Sequence, residues 1–305
     1  MTSVKDSPAA VPARPIEWPT WFVLISLYSA WLGTLAWYAH APATGPLLVL
    51  VILGAWYMSL QHELVHNHPT QNVKFNRALG LLPIAVWYPF DVYRDSHLAH
   101  HRDELLTFPG IDPESNYTEP TAFARFSAPW RFLLHAQRTA LGRFLITPAF
   151  SVASLLRPLT QLENWRNAAF RKTWLQHLVL LVVMLGAIER LTGLSAWLYV
   201  GVSYFMLSVA FMRSFYEHRP AANAKHRIVI NEAAWPWRLL FLNNNFHAVH
   251  HERPGLPWYA IPDAYWQDRE RYLQQNGHFF FPGYVRLFAR HAVTPIDSAQ
   301  QITRL

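Results

Sequence analysis

The sequence predicts an all-α integral membrane protein: four transmembrane helices in two hairpins, with a cytoplasmic helical cap that holds a histidine-rich metal site. Three observations carry this. Hydrophobic residues make up 52% of the 305, with 15% aromatic, which is rich for a soluble chain. Trp21 to Gln61 contains no Asp, Glu, Lys or Arg. The histidines, 16 in all, cluster instead of scattering.

The elements follow in order. Residues 1–20 form a cytoplasmic N-terminal segment, with Lys5, Asp6 and Arg14 and no apolar stretch ending in a small-residue cleavage site, so no cleaved signal peptide is expected. Residues 21–61 form the first hairpin, helices over Trp21 to Tyr38 and Pro46 to Leu60, broken by His40, Pro42, Gly45 and Pro46. Residues 62–173 form the first part of the cap. Within it Ala78 to Phe90 is apolar but contains Pro83 and Pro89, and reads as a re-entrant or interfacial segment. Residues 174–213 form the second hairpin, Trp174 to Ile188 and Leu194 to Met212, turning at Glu189, Arg190 and Gly193. These stretches approach the roughly 20 residues a bilayer core requires. Residues 214–305 complete the cap, its part beyond Pro254, with Trp258, Tyr259 and Phe279 to Pro282, serving as a lid or membrane-facing support. All 305 residues read as one domain.

Of 26 Lys and Arg, only Arg190 falls in an outer hairpin turn, so the termini and the central segment are expected on the cytoplasmic side. The formal charge of +7 suits a membrane surface, because no basic run or nucleic-acid module accompanies it and no nucleic-acid partner is expected. With no cysteine, disulfides, thiolate zinc sites, iron-sulfur clusters and a cysteine nucleophile are excluded within the chain.

Chemistry enters with the histidines. His62-Glu-Leu-Val-His66 follows the second span, and a spacing of four puts both imidazoles on one helix face. Alone it says little. His97-Leu-Ala-His100-His101 and His247-Ala-Val-His250-His251 repeat a second pattern, again near membrane exits. Eight such histidines exceed what one tetrahedral zinc or one octahedral iron uses, so two metals are expected, although imidazole suits iron, zinc, copper and nickel alike. His218 in Glu217-His218 is a ninth candidate, and Asn243 a possible direct or water-mediated contact. Glu63, Asp95, Asp103, Glu217 and Glu252 lie close enough in sequence to orient ligand rings. His68 reads as supporting or structural. His40, His135, His177, His226, His278 and His291 stand alone.

This order, HELVH at 62–66, HLAHH at 97–101, EH at 217–218 and HAVHH at 247–251, resembles the membrane fatty acid desaturase superfamily, which includes alkane and carotenoid oxygenases. The resemblance runs from about Gln61 to Pro254 together with the hairpins. It implies that His62, His66, His97, His100, His101, His218, His247, His250 and His251 ligate two non-haem iron ions on the cytoplasmic side, with dioxygen as co-substrate. It implies hydrogen abstraction from an unactivated C–H bond of a lipid or fatty acyl chain. Loss of a second hydrogen gives an alkene, and oxygen transfer gives an alcohol. Desaturation is the leading expectation. Hydroxylation, ketolation and oxidative decarboxylation are the alternatives within the superfamily. No cytochrome domain is read in the sequence, so electrons are expected from a ferredoxin, rubredoxin or cytochrome with its reductase. The expected location is a bacterial inner membrane.

Two other classes compete. A metal transporter would place ionisable residues inside the spans, where only His177 is found. A zinc-dependent membrane hydrolase is favoured by the HExxH form of His62-Glu63-Leu64-Val65-His66, but leaves two HxxHH clusters without a role.

Overall fold

The computed structural model describes residues 16–303. The expectation about a cleaved signal peptide, with Lys5, Asp6 and Arg14, lies outside the described residues. Four helices are long and apolar enough to cross a membrane: α1 (Trp18–His40), α2 (Thr44–Val65), α9 (Ala168–Thr192) and α10 (Ala196–Arg213). Between α2 and α9 run α3 (Val73–Gly80), α4 (Phe90–His100), α5 (Pro120–Arg125), α6 (Ala128–Ala136), α7 (Ala140–Leu145) and α8 (Thr147–Leu156). After α10 come α11 (Trp235–Leu240), α12 (His247–Glu252), α13 (Ile261–Gln267), α14 (Arg269–Gln275) and α15 (Tyr284–Arg290). Two short parallel strands, β1 (Ile230–Asn231) and β2 (Phe280–Phe281), join the two ends of this last part. The fold is the all-α membrane fold that the sequence predicts.

The third span is longer than expected because its ends are set by caps that hydropathy does not register. The Asn167 side chain accepts from the Ala169 and Phe170 N–H groups, and Gly193, with φ of 71°, ends the helix in the left-handed region. The core lies between α2 and α10, where Leu50, Tyr57, Leu60, Tyr199 and Met206 are fully buried. Contact is close at Gly54, where a Cβ would fall 2.2 Å from Met206 Sδ. Outward, Phe22, Ile25, Ile52, Val179, Val182 and Trp197 are exposed. So much apolar side chain on a continuous outer surface matches contact with lipid tails.

The expected re-entrant stretch leaves helix at Gly80 and crosses to α4 without regular structure, buried at Ile84 and Val86. Irregular backbone is tolerated at such depth only where its polar groups are satisfied by protein. Here they are. Tyr57 Oη and Gln61 Nε2 donate to the Gly80 carbonyl at 2.8 and 3.0 Å, Tyr57 also bonds the Leu82 carbonyl, Tyr199 Oη donates to Ile84 O at 3.0 Å, and His177 Nε2 meets Val86 O at 2.8 Å. His177, the one ionisable residue read inside a span, therefore ties down a loop and marks no ion path.

The part beyond Pro254 is woven into the cap and is not a separate lid. Its β2 pairs with β1, Arg138 donates to Asp297 Oδ1 at 2.6 Å, and Trp258 N–H donates to Glu63 Oε2 at 3.1 Å.

Candidate metal centre

Four segments deliver the histidines. His62 lies in the last turns of α2 and His66 caps it, so both point from one face of a helix rigidly packed in the core. In α4, His97 and His100 lie three apart, with His101 at its end. In α12, His247, His250 and His251 lie on a helix of six residues that is held by Ala248 N–H donating to Val229 O at 3.0 Å. His218 leaves a 3₁₀ turn (Ser214–Tyr216) after α10. That turn is held by buried Arg143, which donates to Ser214 O at 2.9 Å, Ser214 Oγ at 2.8 Å and Phe211 O at 3.2 Å.

All nine histidines converge, in two groups. His62, His66, His97 and His250 offer nitrogens within 4.8 Å of one another, and so do His100, His218, His247 and His251. His101 joins the first group, its Nε2 lying 3.1 Å from both His97 Nε2 and His250 Nε2. Within the first group His66 and His97 Nε2 are 3.0 Å apart; within the second, His218 Nε2 is 3.0 Å from both His100 Nε2 and His247 Nε2.

These spacings can be tested against a bound ion. Two imidazole nitrogens each about 2.1 Å from one ion lie about 3.0 Å apart at a right angle and about 3.4 Å apart at the tetrahedral angle. The observed edges of 3.0 and 3.1 Å match the right angle of five- or six-coordinate ions. Proton counting agrees. His100 and His247 each give their Nδ1 proton to an oxygen, Asp112 Oδ1 at 2.8 Å and Asn244 Oδ1 at 3.1 Å, leaving lone pairs on both Nε2 atoms. Both face His218 Nε2, which carries at most one proton, so only a second proton on His100 or a shared cation resolves the contact. His62 Nε2 and His251 Nε2 are buried with no hydrogen-bond partner, as metal-facing nitrogens would be. The residues fit a pair of ions.

Burial first, then neighbouring imidazoles, lowers the pKa of His66 to about 2 and of His101 to about 3, and holds His218, His247, His250 and His251 well below the ordinary value. These rings are neutral at pH 7, the form that binds metal. His100 differs: burial would lower it, but Glu114 and Asp112 outweigh that and push it up to about 9.

The ring-orienting residues differ from those expected. Asp103 does hold one of the converging rings, its Oδ1 2.8 Å from His251 Nδ1. Glu217 lies 3.9 Å from His247 Nδ1 and reaches it through Asn244, and Glu63 stands 3.7 Å from His62 Nδ1. Asp95 instead pairs with Arg94 and Glu252 with Arg271. The Asn243 side chain bonds elsewhere, its Oδ1 accepting from Arg238 and its Nδ2 donating to Trp258 O, and Asn244 takes the place beside His247. Sequence reasoning missed Asp112 and Glu114, whose carboxylates meet His100 Nδ1 and, at 3.1 Å, His97 Nδ1. The signal was present as Asp112-Pro-Glu114, two acids 11 and 13 residues past His101, where proximity in sequence gives no warning. His68 is structural, bonded at 2.8 Å to the buried carboxylate of Glu17.

The sequence matches the fatty acid desaturase family over residues 35–283. The chain belongs to that family. Its membrane spans, its lipid substrate class and its metal-dependent oxidoreductase chemistry go with that membership. No curated protein matches the chain.

Proposed function

We propose that this protein is an oxygen-dependent di-iron oxidoreductase of the bacterial inner membrane that desaturates a fatty acyl chain, its metal centre and termini facing the cytoplasm. The observation that carries the reading is the division of nine converging histidines, seven of them buried, into five and four, with nitrogen edges near 3.0 Å. His62, His66, His97, His101 and His250 would hold one iron, and His100, His218, His247 and His251 the other. Bound there, the irons supply dioxygen activation and removal of hydrogen from an unactivated carbon.

The chain supplies the rest. Asp112, Asn244 and Asp103 keep the Nδ1 protons of His100, His247 and His251, which aims each Nε2 at the ions. An apolar pocket lined by Tyr57, Met58, Val86, Tyr88 and Leu207 lies beside α2, with Met58 one turn before His62 on the same face. Forming one double bond takes one dioxygen, two electrons and two protons and leaves two waters. With no cysteine in the chain, the electrons come from a separate ferredoxin, rubredoxin or cytochrome and its reductase. The zinc-hydrolase reading is disfavoured by Glu63, which sits on the Nδ1 side of His62 and accepts from Trp258, away from the converging Nε2 atoms.

Elemental analysis of detergent-purified protein, paired with mass spectrometry of lipids from cells expressing it under air and under argon, tests this. The expected result is about two irons per chain and new unsaturated acyl chains only under air. One zinc per chain overturns the metal assignment. Two irons with hydroxylated lipids overturn desaturation and leave the metal assignment standing.

A further inference from the structure

Between Arg125 and Lys172 the chain holds eight Lys and Arg and a single acid, Glu163. Arg138 pairs internally with Asp297, and Arg143 is buried on carbonyls of the α10 end. The other six, Arg125, Arg131, Arg157, Arg166, Arg171 and Lys172, are exposed, and among the described residues none forms an ion pair. Arg171 turns to the carbonyls of Trp165 and Arg166 at 2.6 and 3.0 Å, a charge hydrogen-bonded but not neutralised.

The same stretch exposes apolar side chains. No residue of α6 is buried, and Phe132 is 70% and Leu162 85% exposed. Leu141 and Leu145 on α7 are exposed as well. Their depth is fixed by α10: Tyr204 Oη donates to Leu145 O at 2.5 Å, and Phe144 lies against Phe205 with ring centroids 6.2 Å apart. Tyr204 stands nine residues before Arg213, about 13 Å from the cytoplasmic end of the helix. Leu145 therefore sits at hydrocarbon level, while Arg171 and Lys172 are the fourth and fifth residues of α9, where the span meets the headgroups.

We propose that α6 to α8 and the turn into α9 form a binding site for the anionic phosphate headgroups of membrane phospholipids. Trp130, Phe132, Leu141 and Leu145 enter the acyl boundary, and Arg157, Arg166, Arg171 and Lys172 take the phosphates. An acidic protein or a nucleic acid fits less well, because no water-soluble partner can cover cations and also Leu145 at the depth of a transmembrane helix. A lipid does both.

The full chain in vesicles of phosphatidylcholine with a minor fraction of phosphatidylglycerol, probed by electron spin resonance of spin-labelled lipids, gives the preference directly. Wild type is expected to prefer phosphatidylglycerol by about tenfold at low salt, falling toward onefold as salt screens the charges. Arg157→Gln/Arg166→Gln/Arg171→Gln/Lys172→Gln should abolish the preference, whereas Arg286→Gln/Arg290→Gln, on exposed positions of α15, should leave it intact. The salt series on wild type keeps the test decisive if the fourfold variant misfolds. No preference in wild type, a preference insensitive to salt, or equal loss in the α15 variant overturns the site.

Discussion

The two histidine groups are built by different means. The first takes His62 and His66 from a long helix buried in the membrane core and needs little further orientation: of its five rings, His97 has a close carboxylate partner, Glu114 at 3.1 Å. The second takes His218 from a 3₁₀ turn and its other rings from the ends of short helices, and three of its four rings are held by oxygens from Asp112, Asn244 and Asp103. Where a helix aims the side chain, spacing along the chain is the whole design. Where short helices present it, side-chain oxygens do the aiming, two of the three from acids elsewhere in the chain.

The strongest way to break this comparison is to remove one ligand from each group. His66→Ala should leave about one iron per chain held by the second group, and His247→Ala about one held by the first. On the proposed di-iron reading, oxidation activity should fall to background in both. Iron analysis with Mössbauer spectroscopy distinguishes the two remaining irons by their different surroundings. Complete iron loss from either single variant would show one cooperative cluster in place of two groups.

Acidity sharpens the contrast through one ring, because His100 in the second group is shifted up while its neighbours and the rings of the first group are shifted down. His66 and His101 are lowered to about 2 and about 3, against an ordinary value of about 6.5. The unfolded chain then binds more protons below pH 6.5, so the stability these rings contribute is full above that pH and is lost as pH falls toward 3. His100, raised to about 9, works the other way: its contribution is full below about pH 6.5 and is lost as pH rises through 9. Thermal unfolding of chelator-stripped protein across pH should show both limbs, and Asp112→Asn should flatten the alkaline one alone. An unchanged alkaline limb in that variant would separate His100 from Asp112.

The same division explains what was legible in the sequence. Apolar runs located α1, α2, α9 and α10, but left α9 short by six residues at its start and four at its end because the Asn167 and Gly193 caps carry no hydropathy signal. Eight of the nine converging histidines were readable because residues three and four apart on a helix leave a pattern, and His218 was added from Glu217-His218 as a ninth candidate. The acids were legible only in part: Asp103 was named but not the ring it holds, and Asp112 and Glu114 were not named. Asp112 reaches His100 and Asp103 reaches His251 across 12 and 148 residues, contacts that depend on how loops fold over one another. Glu252, beside His251 in sequence, lies on the far side of its helix with Arg271, and Asp95 likewise faces Arg94. The stretch from Ala78 to Phe90 was foreseen as re-entrant or interfacial from Pro83 and Pro89, but its support by Tyr57, Gln61, Tyr199 and His177 depends on packing between spans.

The smallest effects should come from these orienting oxygens, and they should be graded by burial. Replacing a hydrogen-bonded partner of a metal-bound imidazole lowers metal affinity by roughly 10- to 100-fold. Asp112 is buried at 5% exposure and also accepts from the Thr107 and Glu114 N–H groups, so Asp112→Asn removes a negative charge that water cannot replace. The Asp103 side chain is 38% exposed, and in Asp103→Asn water can take over the His251 Nδ1 proton. Chelator competition should place Asp112→Asn near the upper end of that range and Asp103→Asn near the lower. Glu114→Gln should fall with Asp103→Asn, because its side chain is 30% exposed and the ring it meets, His97, is also fixed by α4. If Glu114→Gln proved as costly as Asp112→Asn, the first group would depend on its acid as much as the second, and helix rigidity would not be what aims it.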